Sequence, residues 1–139
     1  MRWALLDTNI YIGHWERGLH EEVLADVRRA FIVRHSSVVL SELRRGARTK
    51  AALGVVLQLH KLATVQWEPT GDDWWEAGRL IQKIGDARDR DRNKRRKFQN
   101  DALIGLTARR HGATIVTANG DDFMLLAKEL KFAVITAAG

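Results

Sequence analysis

The sequence predicts an α/β protein whose central sheet is mainly parallel, with about five strands and with helices on both faces. Three observations lead to this fold class. Short apolar segments alternate with longer segments of helical spacing. The 139 residues suit one domain, 1–139, because the chain has a single proline and no internal repeat. Apolar residues make up 45% and charged residues 29%, an ordinary globular balance.

The first part of the chain contains two predicted strands. Arg2–Leu6 is an apolar run of strand length, expected to be buried on both faces. Helical spacing follows at Ile10–Glu16 and Glu21–Ala30, with Gly18 as a stop between them. The segment "IVRHSSVVL" contains the second strand, and "SELRRGA" is predicted to be a helix that ends at Gly46.

The middle of the chain contains two predicted helices with a strand between them. Lys50–Leu62 has a strong helical pattern, and Thr64–Trp67 is a β-branched and aromatic run typical of a strand. The next helix follows Pro69, with Thr70 or Asp72 as a candidate N-cap. Its predicted apolar face consists of Trp75, Ala77, Leu80, Ile81 and Ile84.

The last part of the chain alternates helix and strand again. Phe98–His111 has helical spacing and stops at Gly112, a favourable residue just after a helix. "ATIVT" is a compact strand, Asp121–Leu130 is a helix with acids at its start, and "FAVIT" is the final strand. This alternation predicts a three-layer α/β/α sandwich around a parallel sheet.

Acidic side chains follow several of the predicted strands. Asp7 follows the first strand, and Glu42 lies just beyond the second. Asp121 and Asp122 follow "ATIVTANG", and Asp101 lies early in the helix before that strand. Because the carboxyl ends of parallel strands meet at one edge of a sheet, we expect these acids to converge there.

Converging carboxylates indicate metal chemistry, because they repel one another and lose hydration unless a cation compensates them. Oxygen ligands suit Mg²⁺ or Mn²⁺, and such an ion can activate water against a phosphodiester. A simpler interpretation stays open for each acid taken alone. Asp7 and Asp121 are possible helix N-caps, Glu42 a solvated first-turn acid, and Asn100 or Asp101 another cap.

The net charge of +6 is unevenly distributed. Between Asp86 and Lys97, "DARDRDRNKRRK" contains seven Lys or Arg and three Asp. This cluster indicates either a polyanionic partner such as nucleic acid or a solvated helix end with internal ion pairs. The chain contains no cysteine and no run near the roughly 20 apolar residues of a membrane span, and a reducing cytoplasm is the expected location.

The motifs together resemble those of PIN-domain nucleases, most closely the VapC-type toxins of toxin–antitoxin pairs. "LLDTNIYI" resembles the family's first motif, and "SSVVLSELRRGA" resembles its second. "NDALIGLTARRHGATIVTANGDDF" resembles the third and fourth motifs, joined by a helix and a strand. The resemblance covers essentially the whole chain in order, and it implies a PIN-like fold.

The resemblance implies an acidic core of Asp7, Glu42 and Asp101 that binds Mg²⁺ or Mn²⁺. The fourth position is assigned to Asp122, with Asn119 as a further, uncharged metal ligand, ahead of Asp121. The expected supporting residues are Thr8, Asn9, Asn100, Thr117 and Asp121. The expected RNA-binding residues are Arg44, Arg45, Arg92, Lys94, Arg95, Arg96 and Lys97.

The resemblance also implies partners: an RNA substrate, a VapB-like antitoxin and a second copy in a homodimer. The apolar helices at Ile10–Glu16, Glu21–Ala30 and Lys50–Leu62 are candidate docking faces. The leading hypothesis is a metal-dependent endoribonuclease toxin, and the alternative is a non-catalytic RNA-binding module. A phosphotransfer enzyme with Asp7 as nucleophile is disfavoured, because Asn9 stands where a second acid is usual.

Overall fold

The computed structural model describes residues 2–137 and contains a five-stranded sheet in the order β3-β2-β1-β4-β5. Every neighbouring pair of strands is parallel, as the alternation of strands and helices predicted. The strands are β1 Trp3–Leu6, β2 Ile32–Ser36, β3 Gln66–Trp67, β4 Thr114–Thr117 and β5 Val134–Thr136.

Seven helices occur in the described residues and connect these strands. The first four helices lie before β3, and the last three flank β4. They are α1 Thr8–Arg17, α2 Glu21–Ala30, α3 Ser37–Gly46, α4 Lys50–Leu62, α5 Gly71–Ala87, α6 Arg92–His111 and α7 Gly120–Leu130. Among these residues, no helix is long and apolar enough to cross a lipid bilayer.

The sheet is buried on both faces, which makes the fold an α/β/α sandwich. Side chains of a strand alternate between faces, and β1 follows this rule. Leu5 belongs to the core beneath α3, α5 and α6, whereas Ala4 and Leu6 pack with Leu24 of α2 on the other face. A parallel sheet needs this cover on both sides, because its crossover helices lie on its faces.

The second strand is shorter than "IVRHSSVVL" indicated. β2 ends at Ser36, and Val38–Leu40 belong to α3. The Ser36 hydroxyl accepts hydrogen bonds from the N–H groups of Val38 and Val39, and this cap begins the helix. Glu42 therefore lies in the helix that "SELRRGA" predicted, directly after the second strand, and that helix begins four residues earlier than expected, at Ser37.

The helix that carries Asp101 begins six residues earlier than expected, at Arg92. The Asp91 carboxylate caps it by accepting from the N–H of Lys94. Asp101 therefore lies in the middle of α6, so neither it nor Asn100 is a helix cap. The basic segment is the first turns of this helix, because Lys and Arg have good helix propensity.

The helix after Pro69 has one of its two candidate caps, but its apolar face differs from the prediction at one residue. Thr70 is the N-cap of α5 and forms a reciprocal capping box with Asp73. Ala77, Leu80 and Ile84 are buried as predicted. Trp75 is 84% exposed, so its place in the apolar face is wrong.

The strand order contains one topological switch point, between β1 and β4. From β1 the chain builds the sheet outward through β2 and β3, and it then returns to add β4 and β5 on the other side. Ligands of open parallel sheets bind beyond the carboxyl ends of the strands at such a point. Asp7 directly follows β1, and Thr117 is the last residue of β4.

Candidate active site at the carboxyl edge of the sheet

Asp7 is buried at the switch point and is held by three neighbouring groups. Its backbone N–H donates to the carbonyl of Val116 (2.9 Å), which continues the β1–β4 pairing by one residue. Its carboxylate accepts from the N–H of Thr8 (2.8 Å) and from the hydroxyl of Thr117 (3.0 Å). The carboxylate therefore caps α1 and also belongs to the acidic site, so these two interpretations are compatible.

Burial raises the pKa of Asp7 to about 6. The hydrogen bonds from Thr117 and Thr8 act in the opposite direction, and the negative charge of Glu42 raises the pKa further. A carboxylate that is 6% exposed keeps its charge at a cost unless a cation lies nearby.

Asn9 joins the first motif to the loop after β4. Its side-chain carbonyl accepts from the N–H of Ala118 (3.0 Å), and its amide lies 3.5 Å from the Thr117 hydroxyl. Thr117 in turn accepts from the N–H of Asn119 (3.1 Å). Asn9 and Thr117 thereby hold Asp7 against the β4–α7 loop, the supporting position predicted for them.

Glu42 reaches the site from α3. The Thr8 hydroxyl donates to its carboxylate (2.9 Å), which connects the first and second motifs. Because Glu42 lies within a regular helix, its position depends on the cap at Ser36 and on the packing of Leu43. Its negative charge acts on both Asp7 and Asp101.

Asp101 lies where the charges of the other acids meet. Burial is the largest cause that raises its pKa to about 8, and the charges of Asp7, Glu42 and Asp122 raise it further, in that order. The described residues offer this carboxylate no hydrogen-bond or ion-pair partner. These four acids therefore converge, as the motif positions predicted.

Asp122 differs from the other three acids because a cation of the protein compensates it. The Arg90 guanidinium donates to its carboxylate at 2.9 Å. The side chain of Arg90 is 7% exposed and packs over the ring of Phe98, with 4.7 Å from Cζ to the ring centroid. One charge of the acidic group is thus neutralised within the fold.

The other polar residues of the fourth motif are less engaged. Asn119 occupies the N-cap position of α7, and its side chain makes no capping hydrogen bond. Asp121 is exposed in the first turn of α7, and Asn119 rather than Asp121 occupies the N-cap position. Asn100 makes no hydrogen bond to any of the acids within residues 2–137.

The donor chemistry of this site fits a hard divalent cation. The four acids bring oxygen ligands only, and the charges of the other three raise the pKa of Asp101, an effect that a bound cation would relieve. No three Asp, Glu or His side chains among the described residues are arranged so that they could hold a metal ion. The bonds from Thr8 and Arg90 hold Glu42 and Asp122 in their present positions.

The basic residues surround the site unevenly. Arg44 and Arg45 are exposed on the last turn of α3, and Arg92, Arg96 and Lys97 are exposed on α6. Arg95 is occupied: it donates to the carbonyl of Arg90 (2.8 Å) and pairs with Asp86 (2.9 Å). Internal pairing, the alternative considered for the basic segment, thus accounts for this residue.

Two contributors to the site were not predicted. Arg90 was counted only as part of the charge cluster, and no sequence spacing connects it to Asp122. The cap role of Ser36 at the end of β2 was not predicted, although a Ser just before an apolar run that leads into Ser-Glu-Leu is a signal for a helix N-cap. Arg90 acts on Asp122 from outside the four motifs, whereas Ser36 is the first residue of the second motif.

The comparison with protein families identifies this arrangement. The family model of the PIN domain matches residues 4–136. The chain is a PIN-domain protein. Asp7, Glu42, Asp101 and Asp122 are thus acids of a PIN domain that come together at the carboxyl edge of its sheet. The comparison with curated proteins found no match.

Solved structures share the PIN-domain fold over nearly their full length. VapBC2 from Rickettsia felis, bound to a promoter DNA fragment, aligns with a TM-score of 0.68 and 20% identity over 96% of this chain and 98% of that chain. VapBC-1 from nontypeable Haemophilus influenzae has a TM-score of 0.69 and 18% identity, covering 96% and 97%. VapBC-5 from Mycobacterium tuberculosis, a member of a toxin–antitoxin family, has a TM-score of 0.65 and 22% identity, covering 99% and 100%.

Proposed function

We propose that this PIN-domain protein is a metal-dependent endoribonuclease and the toxin of a VapBC-type toxin–antitoxin pair. The observation that carries the proposal is the environment of Asp101, whose pKa is raised by burial and by three further acids from separate motifs. Such a cluster destabilises the fold unless it binds a cation, so its presence at a switch point favours function over stability. The solved VapBC structures that share this fold support the toxin assignment.

Asp7, Glu42 and Asp101 would hold Mg²⁺ or Mn²⁺, with Asn119 and Asp122 as outer ligands. When bound, the ion supplies Lewis acidity toward the phosphate and lowers the pKa of water. The residues of the chain position the carboxylates. Thr117 donates to Asp7, and this bond lowers the pKa of Asp7 and so favours the ionised form that a cation requires. Thr8 donates to Glu42 and holds its carboxylate in place.

Cleavage of RNA by the purified protein tests the proposal. We expect cleavage with Mg²⁺ or Mn²⁺, its loss with EDTA, and a decrease of about 100-fold or more for Asp7→Asn and Asp101→Asn. Asp26→Asn, which removes an exposed acid from α2, is the matched control and should cleave as the wild type does. Equal cleavage by the wild type and Asp101→Asn would exclude this site.

The alternative, an RNA-binding module without catalysis, is favoured by one observation. Arg90 neutralises Asp122, and Asn119 brings no charge. Among residues 2–137, three of the four carboxylates therefore remain without a cation of the protein. This function predicts RNA binding that is sensitive to salt, indifferent to EDTA and without turnover. Cleavage that depends on both metal and Asp101 excludes it.

An antitoxin would bind the apolar groove between α1, α3 and α4. The groove has a volume of about 300 Å³. Ile12 and Trp15 of α1, Leu43 of α3 and Val55 of α4 line it, and all of these except Leu43 are exposed. Of the predicted docking helices, α1 and α4 thus contribute, whereas α2 does not. An apolar segment of a partner fits such a groove.

Substitution in this groove tests the antitoxin proposal. Val55→Glu is expected to weaken the antitoxin complex at least tenfold, because it places a charge at an apolar contact. Leu62→Glu, on the same helix and 69% exposed, is a control for added charge. Co-purification with the product of a neighbouring gene provides the measurement, and an unchanged complex with Val55→Glu would contradict the assignment.

The expected homodimer remains part of the same proposal. Trp74 and Trp75 are 51% and 84% exposed at the start of α5, an apolar surface that a second copy would bury. Sedimentation equilibrium should give twice the chain mass of 15.8 kDa. Trp75→Ser should shift the equilibrium toward the monomer, and a wild-type mass of one chain would contradict dimerisation.

A further inference from the structure

A polar groove of about 750 Å³ lies between α7 and the segment that joins α5 to α6. It differs from the apolar groove on α1, α3 and α4 in both position and lining. The charged residues that line it are Arg88, Arg90, Lys94, Asp121, Asp122 and Lys128.

The charges of this groove do not cancel. Arg90 and Asp122 neutralise each other through their ion pair. Arg88, Lys94 and Lys128 are exposed, and none of the three makes an ion pair within residues 2–137. Against them stands only the exposed carboxylate of Asp121 in the lining. The groove is therefore net positive, which suits a polyanion.

The groove is continuous with the acidic site. Asp122 lines the groove and also acts on the pKa of Asp101 through its charge. Four acids repel a polyanionic strand, so a strand that reaches them needs cations next to the site. The Arg90–Asp122 pair forms the boundary between the acids and these cations.

We propose that this groove binds the backbone of a single-stranded RNA next to the bond to be cut, through Arg88, Lys94 and Lys128. The proposal rests on the proposed function and deepens it, because it assigns the direction in which the strand leaves the acids. It adds Arg88 and Lys128 to the RNA contacts. Arg96 and Lys97 are exposed on α6 outside this groove, so the prediction that they bind RNA stays separate from this proposal.

Two double variants that lose the same charge test this assignment. Arg88→Gln/Lys128→Gln removes two groove cations, and Lys50→Gln/Lys61→Gln removes two cations of α4 that lie outside it. All four side chains are exposed, so both variants are expected to fold. Binding of a short fluorescein-labelled RNA of mixed sequence is measured by fluorescence anisotropy in EDTA, at several KCl concentrations.

The groove variant is expected to bind the RNA at least about fivefold more weakly. Its plot of log affinity against log salt should become shallower by about 1.4, because each phosphate contact with a single strand contributes about 0.7. The α4 variant should retain most of the affinity and slope. Equal losses in both variants, or a larger loss in the α4 variant, would overturn the proposal.

Two further arms separate this inference from its alternatives. If the groove variant loses affinity for polyglutamate but not for RNA, the groove binds an acidic protein segment and the proposal is wrong. Cleavage by the wild type with Mg²⁺ is measured separately. Wild type that binds RNA through the groove but does not cleave it disproves the proposed function alone, whereas cleavage with unchanged binding by the groove variant disproves the groove alone.

Discussion

At the scale of single residues, Asp101 makes the stability of the metal-free protein depend on pH. Its pKa in the fold is raised from 3.8 to about 8, so the folded state holds a proton that the unfolded state releases. Stability conferred by the neutral form is therefore present below about pH 4 and is lost as the pH rises toward 8. Asp7, raised to about 6, acts in the same direction.

We expect Asp101→Asn to be more stable than the wild type by about 1–3 kcal/mol at pH 8 in EDTA, because the amide carries no charge to desolvate. Below about pH 4 the two proteins should unfold at similar urea concentrations, since both then have a neutral side chain. Asp121→Asn, at an exposed acid, is the control. The same pH dependence in wild type and Asp101→Asn would contradict this pKa.

Arg90 provides the second prediction at this scale. Arg90→Gln leaves the Asp122 carboxylate without its partner, and loss of one member of a largely buried pair should cost about 2–4 kcal/mol of unfolding free energy. The double variant Arg90→Gln/Asp122→Asn should recover part of this loss, because no unpaired charge remains. Urea unfolding measures both. Arg79→Gln, in an exposed pair with Glu76, should change stability by less than about 1 kcal/mol.

At the scale of elements, the short strands and the helix caps determine where the acids lie. The cap at Ser36 ends β2 and begins α3, so that Glu42 reaches Thr8 from a helix. Ser36→Ala removes a buried acceptor from two N–H groups and should destabilise the protein by about 1–2 kcal/mol. Ser41→Ala, exposed on the same helix, should change stability by less than about 0.5 kcal/mol.

Thermal unfolding of these two variants measures the difference. Equal melting temperatures would mean that packing of Val39 and Leu43, rather than the cap, positions α3. At a temperature where both variants are folded, Ser36→Ala is expected to cleave RNA more slowly than Ser41→Ala, since Glu42 moves with the start of its helix.

Element types could be read from the sequence more reliably than element boundaries. Alternation and apolar periodicity predict all five strands and the parallel sheet, because these patterns reflect burial. The boundary between β2 and α3 was missed because Val38, Val39 and Leu40 suit a buried strand and a buried helix equally well. The early start of α6 was missed because charged residues give no apolar periodicity, although they are good helix formers.

At the scale of the whole molecule, strand order explains why distant motifs could be predicted to meet. Asp7 and Thr117 lie 110 positions apart in the chain, yet β1 and β4 pair at the switch point, and their ends share one edge. The Arg90–Asp122 pair could not be inferred in this way. It depends on the path of the connection between α5 and α6 and on Phe98 beneath the guanidinium, and neither has a periodic signal.

The same convergence should make the stability of the whole fold depend on divalent cations. An ion that binds the folded acids and not the unfolded chain stabilises the fold, by about 2.7 kcal/mol at a concentration 100 times its Kd. The melting temperature therefore rises. We expect Mn²⁺ to stabilise the wild type at pH 8 and to have little effect near pH 5, because Asp101 and Asp7 are protonated there. KCl at the same ionic strength controls for screening, because a monovalent cation binds carboxylates only weakly.

The variants give this measurement its specificity. Asp101→Asn should lose most of the Mn²⁺-dependent shift, since it removes the acid on which the other charges act. Asp26→Asn, exposed on α2 and far along the chain from every motif, should retain the shift. A shift that persists in Asp101→Asn, or one that is as large near pH 5 as at pH 8, would mean that the ion binds elsewhere on the molecule. The four acids would then need another explanation than a metal site.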